Sequence, residues 1–136
     1  MILFHSKTEF QISTKRTLKS WIKIVAKKEG SVVKDLNFIF CDDEFLLEKN
    51  KAYLKHNSLT DIITFDYSNK NNISGDIFIS IDRVKANALS FSESFENELK
   101  RVIIHGILHL LGYKDKSKKE KKIMREKEDF YLSSQT

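Results

Sequence analysis

Apolar positions recur along this 136-residue chain with two different periods. Leu18, Trp21, Ile22 and Val25 follow the three-to-four spacing of a helix face, which predicts a helix capped by Ser13, running to about Lys28 and stopped by Gly30. Leu36, Phe38 and Phe40 alternate with Asn37 and Ile39, the period-2 pattern of a half-buried strand. Asp42 reads as the cap of a second helix carrying Phe45, Leu46 and Leu47 and continuing to Tyr53 and Leu54, and the polar residues 55–59 as a loop. Ile62 to Phe65 and the alternating Ile77, Ile79 and Ile81 predict two strands. The turn chemistry of Ser68 to Asn72 between them makes an antiparallel hairpin. Ile2 to Phe4 and Phe10 to Ile12 read as short edge strands. A helix opened by Ser80 or Asp82 runs to about Leu89, and another runs from near Ser92 to Gly112. Ser117-Lys118-Lys119-Glu120 is a capping box for a last helix. Mixed strands and helices with one hairpin predict an α+β domain, a small mixed sheet with helices packed on it. No linker divides residues 1–136, so one domain is expected.

Composition narrows the class. With 40% hydrophobic residues and 10 Phe, the chain has enough apolar material for a core. Its single cysteine, Cys41, permits no intrachain disulfide, which suits a reducing compartment, and reads as a packed residue at a strand end. Met1 to Phe4 is too short an apolar run for a signal peptide or a membrane span, so a cytoplasmic location and no membrane partner are expected. The net charge of +5 fits a polyanionic partner such as RNA, without requiring one.

The chemistry concentrates in Val102-Ile103-Ile104-His105-Gly106-Ile107-Leu108-His109-Leu110-Leu111-Gly112. Imidazoles at i and i+4 project from one side of a helix, one turn apart. In so apolar a helix each ring needs a hydrogen-bond partner or a metal. Gly112 can take the left-handed conformation that ends a helix, and the returning chain can bring Asp115 to the same point. Two imidazoles and a carboxylate suit zinc and leave a fourth position for water. The same ligand set also holds Fe(II) in oxygenases. Zincin proteases carry a general-base Glu directly after the first His. Here that position is Gly106, which cannot take a proton and is expected to leave open space beside the metal. Arg101, one turn before His105, could face the same cleft and pair with a phosphate, or could pair with Glu98 on the helix surface. The lysines from Lys114 to Lys122 could track a phosphate backbone, or form a solvated helix face.

His105-Gly106-Ile107-Leu108-His109-Leu110-Leu111-Gly112-Tyr113 resembles the His-Gly-x-Leu-His-Leu-x-Gly-Tyr motif of the YbeY endoribonucleases, the bacterial rRNA maturation factors. Thr60-Asp61-Ile62-Ile63-Thr64-Phe65 is similar to the family's Thr-Asp-Val-Leu-Ser-Phe strand, and Gly75-Asp76-Ile77 resembles its next strand. The resemblance implies a single-domain, zinc-dependent endoribonuclease specific for single strands, with one ion per chain. It implies action in 16S rRNA 3′-end maturation and ribosome quality control, with pre-16S rRNA and the small ribosomal subunit as partners and no DNA. His105 and His109 carry over as metal ligands. The chain departs from the pattern twice: Asp115 stands where the family has its third His, and Leu54 where members often have an Arg. A phosphate contact would then come from Lys51, Lys55, Lys114 or Arg101. The rival reading is a non-catalytic ribosome assembly factor stabilised by zinc.

Overall fold

The computed structural model describes residues 1–54 and 60–133. Strand β1 (Ile2–Ser6) leads through helix α1 (Lys15–Lys28) to β2 (Val32–Cys41). Helix α2 (Asp43–Lys49) and a π-helical turn (Asn50–Leu54) follow, then β3 (Ile62–Asp66) and β4 (Asn72–Ser80). Helices α3 (Ile81–Ser90), α4 (Phe95–Leu110) and α5 (Lys118–Ser133) complete the chain. The four strands form one mixed sheet in the order β1-β2-β4-β3, parallel except for β3 against β4. The expected α+β architecture and hairpin are present, and β1 is an edge strand as expected.

The helix caps follow from side-chain chemistry. Asp42 accepts from the Phe45 N–H at 2.8 Å, as predicted, and Ser80 caps α3, settling the choice between Ser80 and Asp82. The Ser117 hydroxyl accepts from the Glu120 N–H at 3.0 Å while the Glu120 carboxylate accepts from the Ser117 N–H at 2.9 Å, completing the capping box.

Four expectations are corrected. Phe10 to Ile12 is not a strand; the Phe10 ring instead packs edge-on against Phe40 and Phe95, with centroids 5.2 and 5.6 Å apart, so it seals the core rather than pairing. The N-cap of α1 is Thr14 rather than Ser13, and it makes no side-chain capping bond. Ile81 begins α3 instead of ending β4. The end of β2 is buried on both faces, because α2 covers the far side, where Cys41, Leu46 and Ile63 form a second small core with Phe45, Phe65 and Phe78 against it. Burial, with Asp42, Asp43 and Asp82 nearby, pushes the Cys41 thiol up to about 12, so it stays an inert packed residue.

The main core lies between the other sheet face and α1 and α4. Helix α4 supplies Leu99, Val102, Ile103, Ile104, Ile107, Leu108 and Leu110 to it. Two glycines allow α4 to lie close to the sheet. A Cβ on Gly75 would stand 2.5 Å from the Phe65 carbonyl oxygen and 3.0 Å from Leu110, and one on Gly106 would stand 3.0 Å from Ile62 and 3.2 Å from Ile77. Gly106 therefore faces the sheet, and the open space expected beside the metal is filled by Ile62 and Ile77.

Candidate metal centre

Helix α4 is apolar around most of its circumference, but Glu98, Arg101, His105 and His109 recur at spacings of three and four and form a polar stripe along one face. The helix ends in a Schellman motif: the Tyr113 N–H bonds to the Leu108 carbonyl and the Gly112 N–H to the His109 carbonyl, both at 3.0 Å. Gly112 supplies the left-handed residue the motif needs, with φ +105°. The chain turns back and carries Asp115 to the two histidines. His105 Nε2 lies 3.0 Å from His109 Nε2 and 3.5 Å from Asp115 Oδ2. One donor atom from each residue falls within 4.8 Å of the others, the compact grouping that a divalent ion needs.

The cluster is oriented from behind. The Glu128 carboxylate, from α5, sits 2.7 Å from His105 Nδ1, so that nitrogen donates to it and Nε2 is left facing the other two donors. This carboxylate–histidine pairing is the usual support for a metal-bound imidazole. The second Glu128 oxygen accepts from Arg101 at 3.0 Å, and Arg101 also donates to Asp129 at 2.8 Å. Arg101 thus lines the cleft while being held by two α5 carboxylates, and the surface pair with Glu98 is not formed. Burial would depress the His105 pKa, but the Glu128 hydrogen bond and charge, with Asp115 and Asp61, outweigh it, so the net shift is upward. His109 moves down, through burial and the neighbouring His105. It is therefore readily available as a neutral ligand.

A cleft of about 530 Å³ opens onto the group, and Asp61, Asn87, Phe91, Lys121 and Arg125 are among the residues lining it. The basic residues on its wall are Lys121 and Arg125 of α5, with Arg101 deeper. Lys51 is exposed on the π-helical turn and Lys114 is exposed beside Asp115; neither lines this cleft. Lys55 lies outside the described residues, and so does the side chain of Leu54. Sequence reasoning missed Glu128 and Arg125; Lys121 lies within the Lys114 to Lys122 run expected to be able to track a phosphate backbone, and it is the lysine of that run that lines the cleft. The polar stripe on α4 was the available signal that another helix must cover that face with matching charges.

Residues 2–136 match the family described as endoribonuclease YbeY. The chain belongs to the YbeY family. It is 52% identical over 132 residues to the endoribonuclease YbeY of Karelsulcia muelleri, covering 97% of this chain and 94% of that one. It is 51% identical over 129 residues to that of Flavobacterium johnsoniae, covering 95% and 93%. The solution structure of TM1509 from Thermotoga maritima superposes with a TM-score of 0.70 at 31% identity, over 98% of this chain and 87% of that one. The YbeY resemblance carried by the His motif and the two strand motifs thus extends over nearly the whole chain.

Proposed function

We propose that this chain is a cytoplasmic endoribonuclease that cuts single-stranded RNA with one zinc ion held by His105, His109 and Asp115. Its substrate is pre-16S rRNA on the small ribosomal subunit, in 3′-end maturation and ribosome quality control. The observation that carries the reading is the convergence of three candidate metal donors, two of which, His105 and Asp115, line a cleft, in a chain of the endoribonuclease YbeY family.

The donor set fits zinc, with two borderline imidazole nitrogens and one carboxylate oxygen. Zinc bound there supplies Lewis-acid polarisation of a phosphoryl oxygen or a water made acidic enough to act as hydroxide near neutral pH. The chain's own residues do the rest. Glu128 fixes the His105 ring and its tautomer, and Arg101 holds Glu128 in place. Lys121 and Arg125 offer positive charge to the sugar–phosphate backbone at the cleft wall.

The test is cleavage of a single-stranded RNA by zinc-loaded protein beside a His109→Ala variant purified identically. The variant is expected to lose at least about 100-fold in rate, since a primary ligand matters no less than the outer partners whose loss costs up to that much. Equal cleavage by both proteins would assign the activity to a contaminant and overturn the reading.

A further inference from the structure

Two pairs of side chains face each other across the cleft that opens onto the candidate metal donors. Asn87 of α3 and Phe91, its C-cap, form one; Lys121 and Arg125 of α5, which also lends Met124 and Glu128 to the lining, form the other. Each pair is four residues apart, so its members lie one above the other on a single helix face. Phe91 is 58% exposed, although it lines a cleft. Its backbone is fixed by a second Schellman motif, in which the Glu93 N–H bonds to the Ala88 carbonyl at 2.9 Å and the Ser92 N–H to the Leu89 carbonyl at 3.3 Å. The left-handed residue of this motif is Ser92, with φ 55°, among the described residues the one non-glycine position of positive φ. L-residues resist that conformation, and such strain gathers where a neighbouring side chain must be presented in one place. Below the ring, the Asn87 amide N–H reaches the Asp61 carboxylate at 3.4 Å.

We propose that Asn87 and Phe91 form a subsite for one unstacked nucleobase, with the adjoining phosphate against Lys121 and Arg125. The proposal rests on the endoribonuclease reading and deepens it. A nucleobase has two apolar π-faces and a polar edge. Phe91 offers a ring on which a face can stack, and Asn87 offers both a donor and an acceptor to the edge. Among the described residues neither Lys121 nor Arg125 forms an ion pair within 4.0 Å; Arg125 acts on Glu98 only from a longer distance, which leaves both side chains able to meet a phosphate. Four carboxyls share the cleft: Asp61, Glu98, Asp115 and Glu128. Glu128 is matched by Arg101 and His105, and Asp115 faces the histidines. Asp61 is met by the Asn87 amide at 3.4 Å, and Glu98 is faced by the charges of Arg101 and Arg125. In a duplex, stacking covers the base faces and pairing covers the edge. A paired strand therefore cannot fill this subsite, which gives the single-strand preference a physical origin.

The experiment measures binding of a short dye-labelled single-stranded oligoribonucleotide by fluorescence anisotropy, in a His109→Ala background that does not cleave. Phe91→Ala is expected to weaken binding about tenfold, and Phe91→Trp to keep or tighten it. The bases are then replaced one at a time by an abasic sugar. One position should weaken the parent about tenfold and have no further effect on Phe91→Ala. Lys121→Ala and Arg125→Ala should weaken every oligonucleotide alike and each lower the slope of log affinity against log salt by about 0.7. Parental affinity in Phe91→Ala, or abasic positions that weaken both proteins equally, overturns the subsite. Wild-type protein that fails to cleave single-stranded RNA overturns the endoribonuclease reading instead.

Discussion

Glu128 divides one buried carboxylate between two partners: one oxygen faces His105 Nδ1 at 2.7 Å and the other accepts from Arg101 at 3.0 Å. Each partner needs the other. Without Arg101 the carboxylate would be a buried charge held by a single imidazole, and without Glu128 the His105 ring would lose the bond that turns Nε2 towards the donor group. Glu128→Ala is therefore expected to weaken zinc binding by about 10- to 100-fold in a chelator competition, while Glu128→Gln, whose amide oxygen can still accept from His105, loses less. Equal losses in the two variants would mean that charge, and not the orienting bond, is what Glu128 supplies. This residue was hidden in the sequence because it lies in a helix crowded with Lys and Glu, where nothing local separates a buried carboxylate from a solvated one. His105 and His109 were legible because one helix carries both and its period alone brings them together. Gly106 was half legible: its lack of a base could be read directly, but its packing against Ile62 and Ile77 depends on the sheet.

The turn that delivers Asp115 is held by a second carboxylate, on an element distant in sequence. Glu29, just past the end of α1, accepts from the Tyr113 hydroxyl at 2.6 Å, from Lys127 at 3.2 Å and from the Tyr131 hydroxyl. It thereby ties α1, the turn after α4, and α5 together. Burial alone would raise the Glu29 carboxyl, but these donors outweigh it and hold its pKa below the ordinary value. A carboxyl whose folded pKa is lowered stabilises the fold above its unfolded pKa, and that contribution disappears as pH falls through the folded value. Wild-type protein should lose thermal stability on acidification below about pH 4.3, the ordinary Glu value. Glu29→Gln should start less stable at neutral pH and show a flatter curve, the two converging in strong acid. Parallel melting curves for the two proteins from neutral to acid pH would refute the assignment. At this scale the amphipathic helices, the hairpin and the capping box could be read in advance, because their signals are local. The cover that α2 places over the far sheet face could not, because period-2 alternation at Leu36, Phe38 and Phe40 looks the same whether the other face meets water or a short helix.

In the whole molecule α4 is the common support, with the sheet on one side and α1, α3 and α5 against it. Strand order β1-β2-β4-β3 sets β4 beside β2 and puts the hairpin strand β3 at the edge, under the half of α4 that bears the histidines. No local pattern contains that order; it comes from pairings between residues tens of positions apart, such as Phe38 with Ile77. The candidate donor group of His105, His109 and Asp115 lies where α4 ends, at the negative pole of the helix dipole, so a cation held there would gain from the helix as well as from the donors. It also joins the end of α4 to the turn before α5, an arrangement that exists only in the folded chain. Zinc should therefore bind the folded state far more tightly than the unfolded one and stabilise it by mass action, by about 2.7 kcal/mol at a free concentration 100 times Kd. For a chain of this length that corresponds to a rise in Tm on the order of 10 °C. A His105→Ala, His109→Ala double variant should show no such rise, and Asp115→Ala a reduced one, in melting curves recorded with and without buffered zinc. The same rise in the double variant would place the ion elsewhere, whereas a full rise in Asp115→Ala would remove the carboxylate from the ligand set and leave the two histidines as the core of the site.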